Sequence, residues 1–196
     1  MRPDLELISD WIAPGSRMLD LGCGDGALLA HLAANHQGHG YGLEIDPTNV
    51  ERCIAAGVNV LQYDLDRGLG DFRDGSFDMV VMTQTLQAVA HPNMLLEEML
   101  RVGREGIVTF PNFGHWRCRL QLATGRMPMS RVLPNTWYDT PNIHLCTVAD
   151  FEVLCDSLGI EIMQRAVVDN AHRSGLGLRL LPHLLGEICL YRLRRR

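Results

Sequence analysis

Asp20-Leu21-Gly22-Cys23-Gly24-Asp25-Gly26 is the stretch of this chain whose residue types most directly invite a ligand. Met18 and Leu19 lead into an acid, glycines follow at alternate positions, and a helix-compatible run reaches Ala34. That order reads as strand, tight turn, helix. Glycines let the backbone enter conformations closed to other residues and let a ligand come close. A helix N-terminus behind them offers free N–H groups and partial positive charge. Both features suit a nucleotide. Asp20 narrows the choice, because a carboxylate is a poor neighbour for a pyrophosphate and a good one for a cationic or amino-bearing group.

Two nucleotide ligands fit such a turn. A dinucleotide fingerprint asks for G-x-G-x-x-G or a final Ala, which Gly22, Gly24 and Ala27 satisfy. Glu44 then lies at about the right distance to bind ribose hydroxyls. Three features point away from it. Asp20 stands where that motif carries an apolar residue, Asp64 closes a third strand, and the chain ends in an antiparallel-looking strand pair. With Asp78 after Phe77, the acids Asp20, Glu44, Asp64 and Asp78 read as four at successive strand ends. Open α/β sheets bind ligands outside the carboxyl ends of their strands.

The elements that must position these residues follow from periodicity and breakers. Residues 4–12 read as a short amphipathic helix ended by Pro14-Gly15. Strands are expected at 17–21, 40–45, 58–63, 77–82 and 106–110, with helices at 25–34, from Pro47 to Gly57, and at 92–102. Alternation of this kind argues for a parallel sheet with helices on both faces and right-handed crossovers. From about 111 to 145 the rhythm breaks into a segment rich in Arg, Trp, Pro and Asn, the kind of long connection that serves as a lid or binding loop. Thr147-Val148-Ala149-Asp150 is a capping box that starts a helix ending near Gly159. Residues 160–168 and 187–193 read as a final antiparallel pair, with a short helix between 176 and 185. A single domain over residues 1–196 is expected, with 111–145 as its insertion.

Composition excludes several chemistries. The 196 residues include no lysine, which removes Schiff-base catalysis and the P-loop lysine. A formal charge of −5 argues against a general nucleic-acid binder. The six cysteines form no C-x-x-C pair and no zinc-spaced cluster, so reduced, mostly buried thiols and no metal are expected. No apolar run approaches the ~18 residues of a membrane helix. Met1-Arg2-Pro3-Asp4 opens no apolar leader, so a cytoplasmic protein is expected. The basic tail from Arg192 to Arg196 reads as solvated.

The set Asp20-Leu-Gly-Cys-Gly-Asp-Gly26, Glu44, Asp64 and Phe77-Asp78 resembles class I S-adenosylmethionine-dependent methyltransferases across essentially the whole chain. Gln84-Thr-Leu-Gln-Ala, Phe110-Pro-Asn-Phe-Gly-His-Trp-Arg and Trp137-Tyr-Asp-Thr-Pro-Asn-Ile-His-Leu-Cys are similar to the methionine-biosynthesis MetW family within it. The resemblance implies a Rossmann-like methyltransferase fold: α/β, a mostly parallel seven-stranded sheet with a terminal antiparallel pair. It implies S-adenosyl-L-methionine, or S-adenosyl-L-homocysteine, as cofactor. It also implies a role in methionine biosynthesis with homoserine O-acyltransferase as partner, either as a methyltransferase or as a non-catalytic cofactor-sensing subunit. The implied cofactor site comprises Asp20, Gly22, Cys23, Gly24, Glu44, Ile45, Asp64, Leu65 and Gln84. Asp20 would orient the ammonium end, Glu44 accept both ribose hydroxyls, and Asp64 accept from the adenine amino group with Leu65 N–H on the ring. Gln84 would wall the methionine side.

Methyl transfer needs a base only if the acceptor must lose a proton. Candidates in the insertion are His115, Tyr138, Asp139 and His144. The competing structural reading has Trp116, Leu120 and Ala123 on the inward face of a helix, Trp137-Tyr138 packed onto it, and His144 capping a backbone group. Arg117, Arg119, Arg126 and Arg131 suit a substrate carboxylate, an acidic partner face or plain solvation. One consequence is measurable. Glu44→Ala is expected to cost about 1.5–3 kcal/mol of cofactor affinity, the range for hydrogen bonds to a charged group; calorimetry showing unchanged binding removes Glu44 from the site.

Overall fold

The computed structural model describes residues 3–36, 38–169 and 181–196. Helix α1 (Pro3–Asp10) buries Leu5 and Ile8. Strand β1 (Arg17–Leu21) is buried from Met18 onward, the near-continuous burial of a strand covered on both faces. Then come α2 (Ala27–His36), β2 (His39–Glu44), α3 (Pro47–Ala55) and the short β3 (Val60–Gln62). Asp46 starts α3 by accepting the Thr48 N–H at 2.9 Å, and Pro47 fills a first-turn position where a missing N–H is harmless. Next are β4 (Phe77–Thr83), α4 (Pro92–Val102) and β5 (Gly103–Pro111), the last following its helix without a loop.

Beyond β5 lie α5 (Trp116–Ala123), α6 (Val148–Ser157), β6 (Ile160–Val168), α7 (Pro182–Leu185) and β7 (Ile188–Arg195). The capping box at α6 forms: Thr147 Oγ1 accepts the Asp150 N–H at 3.2 Å. The helix expected within 176–185 is present at its end, as α7; residues 170–180 lie outside the described ones.

The seven strands form one sheet in the order β3-β2-β1-β4-β5-β7-β6. β1 pairs in parallel with β2 and β4, β2 with β3, and β4 with β5. β7 inserts antiparallel between β5 and β6, which bears out the mostly parallel sheet with a terminal antiparallel pair. Adjacent residues feed opposite faces, as the pleat requires. Leu19, Val80 and Val108 pack with α4 and α6 on one side, whereas Met18, Val81 and Ile107 pack with α1 and α2 on the other.

Phe110 of β5, Tyr191 of β7 and Phe151 of α6 are fully buried and lock the antiparallel half to its helix. Their rings stand 4.7–5.9 Å apart, Phe110 and Tyr191 stacked within 3°. The Tyr191 hydroxyl donates to Glu152 at 2.9 Å, so its polar end is satisfied.

Two expectations need correction. Asp78 opens β4, so it sits at the amino edge of the sheet, opposite Asp20, Glu44 and Asp64. There Arg17 grips it through Nε and Nη2, each at 3.2 Å, and through its backbone N–H at 3.0 Å. These bonds hold the Asp78 carboxyl below its usual range. The basic tail is also not simply solvated. It continues β7 to Arg195, and Arg192, Arg194 and Arg196 bond Glu105, Glu161 and Asp156 at 2.6–2.8 Å.

Among the described residues no helix is long and apolar enough to cross a membrane, and no group of acids, histidines and cysteines could hold a metal ion. All six cysteines are free thiols, and five are buried.

Phe151→Ala should lower the unfolding free energy by about 3–5 kcal/mol, because neither β5 nor β7 can move in to fill the gap. Denaturant titration checks this, and a loss under 1 kcal/mol would show that the aromatic cluster is not what joins α6 to the sheet.

Candidate functional site

The sheet order places β1 at its switch point: β2 lies on one side of it and β4 on the other. Their carboxyl ends therefore diverge, and the loops that leave them enclose a cleft. The exit of β1 is tied to β2, since the Gly22 and Cys23 N–H groups both donate to Leu43 O, at 2.8 and 3.1 Å. Gly22 has φ +71°, and a Cβ built there would stand 2.5 Å from Thr85 Oγ1. Any other residue type there would strain the backbone and push the Thr85 side chain aside.

Glu44, 8% exposed, organises the turn from the neighbouring strand. Its Oε2 accepts the Gly24 N–H at 2.8 Å, and its Oε1 accepts those of Ile45 and Asp46 at 2.9 Å each. A carboxylate has about four acceptor positions. Three are filled by backbone, which leaves Oε2 with room for one further donor. A grip on both ribose hydroxyls thus requires one amide to give way.

Asp64 follows β3 and caps the 3₁₀ turn Leu65–Arg67, with Oδ1 accepting the Asp66 N–H at 3.0 Å. Asp66 Oδ1 accepts the Ala90 N–H at 2.7 Å and so stitches this turn to the loop after β4. Asp20, 1% exposed, is the last residue but one of β1. Burial, then the Asp20 charge, pushes the Cys23 thiol up, which keeps it protonated. Cys53 Sγ lies 3.8 Å away and Gly42 leaves the space that Cys23 fills. Cys23 packs beneath the turn.

Gln84 has φ +54°, the one positive φ outside glycine among the described residues. Its N–H donates to Thr109 O at 2.9 Å and to Thr109 Oγ1 at 3.1 Å, and its carbonyl accepts from Gln87 Nε2 at 2.9 Å. Strained backbone persists only where its surroundings hold it in place, and it concentrates at binding sites.

Two cavities of about 500 and 250 Å³ occupy the cleft and meet at Gly22, Gln84 and Thr85. Asp20, Cys23 and Gly24 line the larger; Glu44, Ile45, Asp64 and Leu65 line the smaller. Every residue expected at a cofactor is therefore brought to one continuous cleft. Sequence reasoning missed Thr85, Tyr63 and Val89, which also line it. Their neighbours are set by packing, and no local spacing marks them.

The candidate bases are not brought together. His115 is buried at the start of α5, where its Nδ1 accepts the Arg117 N–H at 3.3 Å. Burial, then Arg117, lowers its pKa, so it is neutral, with Nε2 carrying the proton toward Glu187 at 3.9 Å. It lines a separate cavity. Trp137 and Tyr138 are each 72% exposed and pack edge-to-face with one another. His144 donates its backbone N–H to Gln87 O at 3.0 Å, and its Nε2 lies 3.2 Å from Ala90 O, a backbone-capping role. The inward face expected for α5 is also different. Cys118 is its buried residue, and Trp116 and Leu120 face solvent.

Compared with known proteins, residues 2–193 match the family described as "Methionine biosynthesis protein MetW". The bifunctional methionine biosynthesis protein MetXA/MetW of Rhodopirellula baltica is 39% identical over 176 residues, 85% of this chain and 28% of that protein. This chain spans less than half the length of the curated relatives it matches. Among solved structures, an S-adenosylmethionine-dependent methyltransferase from Mesorhizobium loti superposes with a TM-score of 0.71 at 21% identity, covering 98% of this chain and 96% of that one. The [4+2]-cyclase SpnF superposes at 0.68 with 17% identity, covering 97% and 80%. These likenesses establish the Rossmann-like methyltransferase fold.

Glu44 holds backbone as well as lining the cleft, so its loss has two effects. Glu44→Ala should destabilise the ligand-free chain by about 1.5–3 kcal/mol, the range for losing charge-assisted bonds. Denaturation without ligand measures that part alone, and an unchanged midpoint would show that the turn holds without the carboxylate.

Proposed function

This chain belongs to the methionine biosynthesis protein MetW family, and on that premise we propose that it binds S-adenosylmethionine or S-adenosylhomocysteine in the β1–β2–β4 cleft and acts with homoserine O-acyltransferase in methionine biosynthesis. The observation that carries the proposal is the convergence of Asp20, Glu44 and Asp64 on one cleft around a side-chain-free Gly22. Those residue types fit the cofactor. Asp20 would face its ammonium, the open position on Glu44 Oε2 would take a ribose hydroxyl, and the Asp64 oxygen not used for capping would take the adenine amino group. When bound, S-adenosylmethionine supplies a methyl group activated on a sulfonium. The chain's own contribution is to position the ligand and exclude water.

Partnership with the acyltransferase is supported by the Rhodopirellula baltica relative, whose name joins MetXA and MetW in one protein. The segment 111–145 supplies the surface. Trp137, Tyr138, Ile143 and Met127 are exposed there, and so are Arg117, Arg126 and Arg131. Aromatic residues and arginines are the side chains that anchor interfaces.

A specific observation favours the cofactor-sensing form of this role over methyl transfer. His115 has its Nδ1 bonded to backbone and lines another cavity, Tyr138 faces solvent, and His144 caps a carbonyl. None stands ready to take a proton in the cleft.

Calorimetry with S-adenosylhomocysteine should show binding that Asp64→Ala weakens by about 1.5–3 kcal/mol. Homoserine O-acyltransferase should co-purify with the chain, and its rate should change when chain and cofactor are added together. No cofactor binding, or an acyltransferase rate indifferent to the chain, would overturn the corresponding half. Radiolabelled methyl transfer to any acceptor in a broad panel would replace the sensing form with the enzymatic one.

A further inference from the structure

A second cavity, of about 400 Å³, lies beyond the carboxyl end of β5 and is lined by Asn112, His115, Arg117, Cys118, Arg131 and Glu187, among others. That volume is within the range of small-molecule sites. Its frame is rigid. Asn112, 2% exposed, donates from Nδ2 to Gly186 O at 2.8 Å and His183 O at 3.1 Å, and its Oδ1 accepts the Gly114 N–H at 2.9 Å. Its own N–H donates to Glu187 O at 2.8 Å. The end of β5 and the start of β7 are thereby fastened together, and His115 and Glu187 are carried to one wall.

The charges on that wall do not satisfy each other. Glu187 is 9% exposed, and among the described residues the basic group within ion-pair distance of its carboxylate, His115 Nε2, stands 3.9 Å off, beyond hydrogen-bond reach. Buried neutral, His115 also brings no countercharge. Burial, and then the like charge of Asp169, push the Glu187 carboxyl above its usual range, and Arg117 and Arg131 only partly offset this. Neither arginine comes within ion-pair distance of a carboxylate among the described residues. Arg117 is instead steadied over the Trp116 ring at 5.4 Å. A buried carboxylate is costly until a cation meets it.

We propose that this cavity is a second ligand site, built for the zwitterion of a free α-amino acid. Its carboxylate would meet the guanidinium forks of Arg117 and Arg131, which suit a carboxylate's geometry. Its ammonium would donate to Glu187, and His115 Nε2–H would be a further donor to the ligand's carboxylate. A ligand with negative charge alone leaves Glu187 opposed, and one with positive charge alone leaves the two arginines idle. The site is near the first cleft yet distinct from it. Thr109 of β5 pairs with Thr83 at the end of β4, and the cavity begins at Asn112, the residue after β5. The two clefts share no lining residue.

The proposal does not depend on the reading of the first cleft. Its test is saturation-transfer NMR on the full chain, with the standard α-amino acids and L-homoserine at millimolar concentration and S-adenosylhomocysteine present. At least one amino acid should bind. Binding should fall about tenfold or more in Arg131→Ala, in Glu187→Gln and for the deaminated analogue of the bound amino acid. It should persist in Asp64→Ala without S-adenosylhomocysteine, so failure of the cofactor reading is separately visible. Arg131 is exposed, so its variant remains informative if Glu187→Gln fails to fold. The proposal is overturned if no amino acid binds or if S-adenosylhomocysteine displaces it. Unchanged binding in Arg131→Ala, or equal binding of the deaminated analogue or inorganic phosphate, overturns it too.

Discussion

Thr85 occupies the volume that any side chain at position 22 would need. That exclusion determines how the loops at the sheet's switch point meet. The turn after β1 is pressed against the turn after β4, and the cleft is divided at their contact into two connected cavities. Bringing Thr85 over Gly22 requires the chain to reverse sharply on leaving β4. Gln84 takes that bend with its φ of +54°, held by two bonds to Thr109 in β5. The strain sits at the one place both cavities share, which is where a rigid wall is of most use to a ligand.

Glu44 sets the other side. A carboxylate that holds three backbone amides is a structural clasp, and one that meets a ligand is a recognition group. In the proposed site the same oxygens would do both. A ligand hydroxyl that displaces the Gly24 amide from Oε2 loosens the turn, while one that takes the open position tightens the assembly. Affinity for a ligand and stability of the glycine turn are consequently linked, since anything that binds the folded form alone also stabilises it.

The parallel half of the fold was legible because its strands are continuous apolar runs between breakers, and a strand buried on both faces leaves that pattern. β3 was expected over 58–63, and the structure keeps three of those six residues. The acids Glu44 and Asp64 were readable because Glu44 ends its strand and Asp64 comes just after its own. Asp78 was misplaced because it was grouped with the strand-end acids although the expected strand, 77–82, begins beside it. Its partner, Arg17, lies 61 residues away and sits at the opposite end of β1 from Asp20. Segment 111–145 was the least legible for a physical reason. Its one helix buries Cys118 and exposes Trp116 and Leu120, so hydrophobic spacing there reports a surface. Glu187, remote in sequence from His115, had no local signal at all.

That exposed segment is nonetheless attached to the cleft. The carbonyl of Gln84, between the two cavities, accepts from Gln87, and the carbonyl of Gln87 accepts the His144 N–H. His144 also reaches Ala90, whose N–H is held by Asp66 beside the smaller cavity. A ligand that firms the 84–90 loop therefore firms the anchor of the segment that carries Trp137 and Tyr138. Spatial continuity of this kind is not in itself coupling. It does supply what a sensing role needs and a lone methyl-transfer pocket does not, a bonded route from the cleft to an apolar, arginine-bearing surface. The geometry around His144 thus fits the proposed sensing role, in which the sheet end would hold the small molecule and the irregular segment would report it.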